Sequence, residues 1–367
     1  ITPPPMPTVP VGVPIYAGSQ AGVASGFYAA REALSPPLTG RGGTICILDS
    51  GIRRTHVGLA GKVLYEANFS SAPTVEDVYD HGTGVAFMAA GGRHAPGEES
   101  GTAPGASLFN IKVLGDDGEG TLESVVLGLE HVMELRERAV AEGLPNEDPL
   151  FPNIVNMSWG AQDDGDPDSP IRVACRAALE MGFGLVAAAG NAGPSPGTVT
   201  TPATDPAVLA VGALTFSPFQ VWDHSSRGPT REGLVKPDLV FYGVNILTAS
   251  AKSDTAFELK AGTSFSTPAV AGLAAMAYEA ALRVLRKRIS QEEAMQLVQS
   301  FMVKPQGAPP EKDNEYGYGL PFAQLMAQGL QGGLVGVAGL SDALGMVAPI
   351  FTIGMLGVVM RGLVPAR

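Results

Sequence analysis

The chain has 367 residues, of which 45% are hydrophobic, and a formal net charge of −12 at pH 7. This composition excludes a disordered chain and allows one large α/β domain or two smaller ones. The acidic balance argues against a nucleic-acid partner, because binding the phosphate backbone requires Lys and Arg. Two cysteines, Cys46 and Cys175, are too few for a disulfide framework, and we expect both to be buried thiols.

The first residues differ in composition from the rest of the chain. Residues 1–14 contain six prolines, which predicts an extended N-terminal extension with no packed structure of its own. The chain begins at Ile1, with no initiator Met and no signal sequence, so we expect that upstream residues have been removed from it, either by processing or in preparing the protein.

From residue 43 onward, short apolar runs alternate with amphipathic stretches. Five of these runs predict buried strands, at residues 44–48, 107–113, 153–157, 184–188 and 208–213. Thr121 and Ser169 are placed to cap two of the intervening helices, and Pro170 suits a first helical position. The alternation predicts a three-layer α/β fold, with a doubly wound, mostly parallel sheet and helices on both faces. Ligands of such sheets bind beyond the carboxyl ends of the strands, where Asp49 stands.

Residues 268–285 are rich in Ala, Gly and Val, which predicts a helix buried close to the sheet. Ser264 is expected at the start of this helix, where the helix dipole adds positive potential.

The C-terminal segment, 329–367, is strongly apolar. Its run 343–360 contains 18 uncharged residues, close to the minimum length of a membrane-spanning helix. We therefore expect 329–367 to be a transmembrane anchor that contacts the bilayer through 343–360 and could meet a membrane-protein partner. Arg361 and Arg367 favour the cytoplasm for that end, which would leave the rest of the chain extracytoplasmic. A buried or partner-docking hairpin is the alternative.

Three short motifs place Asp49, His81 and Ser264 in that order along the chain. A serine hydroxyl is a weak nucleophile until a base such as histidine takes its proton. A buried carboxylate can fix the tautomer of the imidazole and stabilise its protonated form. Asn191 follows the fourth predicted strand, and its amide could donate to a developing oxyanion.

Six motifs together carry a resemblance to a known family: Asp-Ser-Gly-Ile at 49–52, His-Gly-Thr at 81–83, Asn-Met-Ser-Trp-Gly at 156–160, Ala-Ala-Gly-Asn at 188–191, Ser-Ser-Arg-Gly-Pro at 225–229 and Gly-Thr-Ser at 262–264. With these motifs the chain resembles the subtilisin-like serine proteases, the subtilases, over about residues 15–328. The resemblance implies a catalytic domain over 15–328 that hydrolyses peptide bonds in extended polypeptides through an acyl-enzyme. It implies Ser264 as nucleophile, His81 as general base and then acid, and Asp49 as the residue that orients His81. Asn191 and the Ser264 backbone N–H would form the oxyanion hole.

The resemblance also implies a substrate-binding cleft. Six residues in two segments would pair with the backbone of an extended substrate: Gly118, Glu119, Gly120, Ser158, Trp159 and Gly160. Ala188 and Gly190, with Thr200 opposite, would line the primary specificity pocket. Thr200 is larger than the small residue often found there, so we expect a shallow pocket for side chains of modest size.

The chemistry of a serine nucleophile requires no cofactor, but a structural calcium ion remains open. The loop 163–168 has four Asp residues in six positions, which invites a calcium site, although a solvated acidic loop is the interpretation we favour. If this loop faces the cleft, it would favour basic substrates. The other four histidines are expected to be structural or exposed: His56, His94, His131 and His224.

Two alternatives to a protease come from other functional classes. The apolar tail would suit a non-catalytic subtilisin-fold subunit that binds partners in a membrane-associated assembly. A lipase or esterase is disfavoured by the order of the three residues and by the lack of a Gly-x-Ser-x-Gly elbow at Ser264.

Overall fold

In a computed structural model of the chain, the described residues are 36–92, 100–216, 219–285, 289, 293–294, 298, 302–305 and 307–321. The predicted extension 1–14 and the predicted anchor 329–367, with its run 343–360, lie outside the described residues. Both stay predictions, as does the extracytoplasmic location. In the part of the chain that the structure describes, none of the helices has the length and apolarity that crossing a bilayer requires.

The centre of the fold is an eight-stranded sheet. Its strands are β1 (Thr44–Asp49), β2 (Val63–Asn68), β3 (Ser107–Lys112), β4 (Ile154–Met157), β5 (Gly184–Ala188), β6 (Leu209–Thr215), β7 (Gln220–Val221) and β8 (Leu239–Tyr242). The spatial order is β2-β3-β1-β4-β5-β6, and β6 pairs with both β7 and β8. Every pair is parallel except the short one between β6 and β7. The mostly parallel sheet predicted from the apolar runs is confirmed.

In the ranges that the structure describes with continuous helical bounds, four helices lie against the sheet: α1 (Gly82–Ala90), α2 (Leu122–Ala141), α3 (Pro170–Glu180) and α4 (Thr263–Ala280), the last continued by a π-helical turn at Ala281–Leu285. A hairpin of β9 (Ile246–Ala249) and β10 (Phe257–Lys260) leads into α4. A second short pair joins β11 (Met302–Val303) to β12 (Leu320–Pro321).

The side chains of β1 alternate between the two faces of the sheet, as the period of a strand requires. Ile45 and Ile47 pack in the core beneath α1 and α4. Cys46 and Leu48 pack in the core beneath α2 and α3, where Cys175 also lies. Helices therefore cover both faces, which confirms the three-layer fold. Burial raises the pKa of both thiols, so neither cysteine is a reactive group.

The five predicted strands all form, with ends that differ by two residues at most. Thr121 caps α2 through a capping box, in which the Thr121 and Ser124 hydroxyls each accept the other's backbone N–H at 3.0 Å. Ser169 precedes α3 as predicted, but its side chain makes no capping hydrogen bond. The small-residue helix begins at Thr263, which places Ser264 in its first turn, as expected, and Pro268 inside its second turn.

Candidate active site

Asp49 and His81 meet at the carboxyl end of β1. The alternation of β1 turns Asp49 toward the α1 side of the sheet, and His81 is the residue that precedes α1. His81 Nδ1 lies 2.7 Å from Asp49 Oδ1, and both side chains are at most 1% exposed. The Ser50 backbone N–H donates to the same carboxylate oxygen at 2.7 Å. With its Nδ1–H donated to Asp49, a neutral His81 ring keeps Nε2 as an acceptor.

A second carboxylate, Asp77, holds the turn that carries His81. Its Oδ1 accepts from Ser50 Oγ at 2.8 Å, from the Asp80 N–H at 2.9 Å and from the His81 N–H at 3.3 Å. Its Oδ2 accepts from the Thr83 N–H at 2.8 Å. Asp77 therefore caps the free N–H groups at the start of α1 and fixes the backbone of the predicted base.

The role of Asp77 was not predicted from the sequence, although an Asp four residues before the His-Gly-Thr motif is a usable capping signal. Burial raises the pKa of the Asp77 carboxyl, hydrogen bonds from Thr83 and Ser50 offset part of that rise, and the nearby Asp49 charge adds to it.

Lys112, the last residue of β3, was also missed. Its buried ammonium donates to the carbonyl oxygens of Ser50 at 2.5 Å and of Glu76 at 2.9 Å, and to Asp116 Oδ1 at 3.0 Å. It therefore joins the segment after Asp49 to the segment before Asp77. A lysine at the end of an apolar strand was the signal available in the sequence.

Ser264 is the second residue of α4. Its Oγ donates to the Ser158 carbonyl oxygen at 2.9 Å, and Ser158 Oγ donates to the Ser264 carbonyl oxygen, also at 2.9 Å. Pro268 has no N–H for the Ser264 carbonyl four residues earlier, so the Ser158 hydroxyl replaces the missing helical donor.

The predicted nucleophile and the predicted base lie beside each other but are not hydrogen-bonded. The His81 ring centroid is 5.5 Å from that of Phe265, the residue after Ser264. Among the hydrogen bonds of the described residues, none joins Ser264 Oγ to His81. Hydrogen bonds of this kind are often absent in free enzymes and form only with substrate bound.

Asn191 lies at the start of α4 with its amide held in one orientation. Its Oδ1 accepts from the Thr263 N–H at 3.0 Å and from Thr263 Oγ1 at 2.9 Å, which leaves Nδ2 directed elsewhere. A Cβ added to Gly262 would lie 3.2 Å from Asn191 Nδ2 and 3.8 Å from Ser264 N. The two predicted oxyanion donors therefore both lie close to Gly262, at the positive end of the α4 dipole.

The segment Gly118 to Gly120 lies beside the turn that carries His81. A Cβ at Gly118, where φ is 80°, would lie 2.5 Å from the Tyr79 ring, whose centroid is 6.5 Å from that of His81. The Glu119 carbonyl accepts from the Gly115 N–H at 2.7 Å, which closes the loop. The contact of this segment with substrate stays a prediction.

The segment Ser158 to Gly160 borders the nucleophile through Ser158. The Trp159 side chain is buried, and its Nε1–H donates to the Leu48 carbonyl at 2.8 Å. Any contact of Trp159 with substrate is therefore made by its backbone. A Cβ at Gly160 would lie 2.2 Å from Thr200 Oγ1, so the backbone of Gly160 is in close contact with the Thr200 side chain.

Thr200 lies against the residues predicted to line the specificity pocket. A Cβ at Gly190, where φ is 109°, would lie 2.9 Å from Thr200 Cγ2. The Thr200 N–H donates to the Ala189 carbonyl at 3.0 Å, next to the buried Ala188. Thr200 therefore packs directly against Gly190 and Ala189, and the depth of the pocket stays a prediction.

In the ranges that the structure describes, there is no group of three or more His, Cys, Asp or Glu residues placed to hold a metal ion. In the loop 163–168, Asp164 and Asp166 accept the N–H groups of Asp166 and Asp168, each at 2.9 Å. These bonds give the loop carboxylates a turn-forming role, and a calcium ion stays a prediction.

Three of the other histidines have structural partners, as expected. His56 Nε2 lies 2.8 Å from the Ala256 carbonyl and His131 Nε2 lies 2.7 Å from the Tyr65 hydroxyl. The His224 ring lies 4.8 Å from that of Trp222, centroid to centroid, at an angle of 49°. His94 is outside the described residues.

A family model described as the subtilase family matches residues 40–319. The chain belongs to the subtilase family. This confirms the resemblance carried by the six motifs, and the matched residues fall within the predicted catalytic domain, 15–328.

Several curated relatives are similar to this subtilase. The serine protease AprX of Bacillus subtilis is 33% identical, over 65% of this chain and 57% of the relative. Subtilisin BL of Lederbergia lenta is 33% identical, over 65% of this chain and 77% of the relative. Subtilisin-like protease 3 of Pseudogymnoascus destructans is 31% identical, over 64% of this chain and 52% of the relative. The chain thus spans little more than half the length of AprX and of the fungal protein.

Proposed function

We propose that this subtilase is a serine endopeptidase that cleaves extended polypeptides through an acyl-enzyme intermediate. The observation that supports it best is the buried 2.7 Å contact between His81 Nδ1 and Asp49 Oδ1, beside the serine at the start of α4. Family membership and the protease names of the relatives give the same chemical class.

In the proposed first step, Ser264 exchanges its Ser158 partner for His81. His81 Nε2 takes the Ser264 Oγ proton as the oxygen attacks the carbonyl carbon of the substrate peptide. Asp49 stabilises the imidazolium that forms, since its Oδ1 already accepts from Nδ1.

The negative charge that develops on the substrate oxygen would be met by Asn191 Nδ2 and the Ser264 N–H. Loss of one such donor costs about 3 kcal/mol of transition-state stabilisation, a value measured in the relative subtilisin and carried over to this chain. His81 then returns the proton to the leaving amine, which breaks the C–N bond. Water attacks the ester on Ser264, again with His81 as base, and releases the carboxylic acid.

We further propose that the substrate binds as an added strand between the segments 118–120 and 158–160. The side chain before the cleaved bond would lie between Gly160 and Gly190, where Thr200 restricts its size. Small and medium side chains should therefore be preferred at that position.

Covalent labelling with a fluorophosphonate tests the proposal. We expect the adduct on Ser264 and its complete loss in Ser264→Ala. Ser266→Ala is the matched control. Ser266 follows Ser264 by two residues, and its buried Oγ donates to the Thr263 carbonyl, so it should not react. A peptide ester should give a burst of one product per enzyme, as acyl-enzyme accumulation requires. A folded parent protein that takes no label and gives no burst would refute the proposal.

One observation favours a second candidate, the non-catalytic subunit. Ser264 Oγ is bonded to the Ser158 carbonyl, and a binding protein would have no need to release it. That candidate predicts no labelling of the folded protein at any substrate or reagent concentration.

A further inference from the structure

An ion pair links the turn that carries His81 to the hairpin that leads to Ser264. Asp80 directly precedes His81, and Lys260, the last residue of β10, lies four residues before Ser264. Lys260 Nζ lies 3.1 Å from Asp80 Oδ2 and also donates to the Asp80 carbonyl oxygen. The Lys260 side chain is only 3% exposed and that of Asp80 is 14% exposed, so the pair is shielded from solvent.

We propose that the Asp80–Lys260 pair is a positioning device, which sets the distance and orientation of His81 relative to Ser264. The inference rests on the proposed function, in which these two residues exchange a proton. Neither Asp80 nor Lys260 would touch the substrate or the reacting atoms.

The pair acts at the two points where displacement matters most. One peptide bond separates Asp80 from His81, so a shift of the Asp80 backbone is passed to the base. Lys260 is followed by Ala261 and Gly262 and then by the first turn of α4, so its anchor point moves with the nucleophile. Asp80 Oδ1 also accepts from the Ala251 N–H at 2.5 Å, which gives the turn a second attachment to the same hairpin.

Packing does not close the whole boundary between the turn and the hairpin. A cavity of about 480 Å³ borders Asp77 and Asp80 of the turn and Ala251 and Lys252 of the hairpin. The Asp77 hydrogen bonds hold the turn against the start of α1, and the contacts of Asp80 with Lys260 and Ala251 hold it against the hairpin. Within the described residues, the other cation near the Asp80 carboxylate is Lys252, 4.0 Å away and 62% exposed, which is too solvated to replace Lys260.

The buried lysine makes the contact selective for a carboxylate. A shielded ammonium that loses its partner is left as an uncompensated charge, so the segment around it rearranges. Among the described residues, Asp80 supplies the carboxylate within 4.0 Å of Lys260 Nζ. Removing the charge from either residue should therefore move His81, even where the fold is kept.

Asp80→Asn tests the effect of the Asp80 charge separately from the effect of its backbone conformation. Asp80 has a φ of 67°, a conformation that Asn also adopts readily. The Asn side chain can still accept from the Ala251 N–H, so this variant removes the charge and leaves the turn geometry possible. Lys260→Met removes the other charge and keeps the stem, and Lys260→Arg keeps the charge.

The matched control is Lys236→Met. Lys236 is equally buried, at 3% exposed, and lies 2.6 Å from Asp238 Oδ2, in an ion pair that joins neither the His81 turn nor the β9–β10 hairpin. It measures what the loss of any buried lysine does to the fold.

The experiment combines peptide turnover with proton NMR of the His81 Nδ1–H, assigned by its loss in His81→Ala. We expect kcat to fall about 10–100-fold in Asp80→Asn and Lys260→Met, with KM within about twofold of the parent, because a displaced base slows the reaction without weakening binding. The double variant Asp80→Asn/Lys260→Met should lose no more activity than the less active of the two single variants. Lys260→Arg should keep most of the parent's kcat. The His81 Nδ1–H resonance should shift or broaden in both charge-removing variants and stay unchanged in Lys236→Met.

The resonance decides the inference even if the parent turns over no peptide, since the Asp49–His81 bond exists without catalysis. If the parent were inactive, the proposed function would be refuted. If the His81 Nδ1–H resonance of Asp80→Asn were still shifted or broadened in that case, the positioning role of the Asp80–Lys260 pair would be supported. An unchanged resonance and unchanged kcat in folded Asp80→Asn and Lys260→Met would overturn the positioning pair and leave the proposed function standing. Equal effects in Lys236→Met would also overturn it, because the effect would then come from a general loss of packing.

Discussion

The two halves of the site are prepared to different degrees. The acid–base half, Asp49, Asp77 and His81, already has the hydrogen bonds that catalysis would use. In the nucleophile half, Ser158, Asn191 and Ser264, the amide is in place but the Ser264 hydroxyl is bonded to a backbone carbonyl. The proposed base is therefore held by many contacts, whereas the proposed nucleophile would have to exchange one hydrogen bond before it could react.

The difference has a physical cause in each half. Buried carboxylates need several donors, and the N–H groups at the start of α1 supply them to Asp77. In the other half, Pro268 removes a helical donor, and Ser158 compensates for it by bonding to the Ser264 backbone. The acid–base half is thus held by hydrogen bonds to buried carboxylates, and the nucleophile half is held by the hydroxyl groups of Ser158 and Ser264.

The largest expected effect comes from Asp49→Asn, which tests whether Asp49 acts by fixing the tautomer of the His81 imidazole. An amide can donate to His81 Nδ1, and the ring then carries its proton on Nε2 and cannot accept one from Ser264. We expect kcat to fall about 10⁴-fold with KM little changed. Steady-state peptide hydrolysis measures it, with the exposed Asp168→Asn as control. A loss below about tenfold would show that Asp49 is not needed to orient the base.

Asn191→Ala tests the prepared part of the nucleophile half. We expect kcat to fall about 10²–10³-fold, since one donor to the oxyanion is lost. Thr263→Val should give a smaller loss, because Asn191 Nδ2 is kept and only the Thr263 hydroxyl that orients the amide is removed. Peptide hydrolysis over a range of substrate concentrations gives kcat and KM for both variants. A rise in KM with kcat unchanged would contradict a role in the transition state.

Ser158→Ala tests the compensation for Pro268. The Ser264 carbonyl would lose its donor, and we expect the free energy of unfolding to fall by about 1–3 kcal/mol. The second-site change Pro268→Ala restores a helical N–H and should recover part of that loss. Urea unfolding of the single and double variants gives the coupling. If the two changes simply added, the Ser158 hydroxyl would not be the replacement donor.

Asp77→Asn has the smallest expected effect and tests the stability of the acid–base half. Burial raises the pKa of the Asp77 carboxyl in the folded state. Its contribution to stability is therefore complete below the ordinary Asp pKa of about 3.9 and declines as the pH rises through the raised pKa. The parent should lose stability relative to Asp77→Asn between acidic and neutral pH in urea titrations. If the parent instead gained stability relative to Asp77→Asn as the pH rises, the hydrogen bonds from Thr83 and Ser50 would stabilise the carboxylate by more than burial destabilises it.

The sequence predicted the parts of the molecule that follow local rules. The runs at 44–48 and 184–188 form strands because apolar residues bounded by turns behave alike wherever they occur, and Thr121 caps its helix through a neighbour three residues away. The helix α1 was missed because all nine of its residues are buried, which leaves no amphipathic period to detect. The partnerships of Lys260 with Asp80 and of Ser158 with Ser264 join residues more than 100 positions apart, and no local pattern predicts them.

The central claim is that the base is fixed and the nucleophile changes its partner. Crystal structures of the free protein and of its phosphonylated form test it most directly. The account predicts that Ser264 Oγ leaves the Ser158 carbonyl, that the phosphonyl oxygen lies within about 3 Å of both Asn191 Nδ2 and the Ser264 N–H, and that the 2.7 Å Asp49–His81 contact is unchanged. A phosphonylated structure in which Asp49 and His81 have separated, or in which the phosphonyl oxygen points away from Asn191, would contradict it.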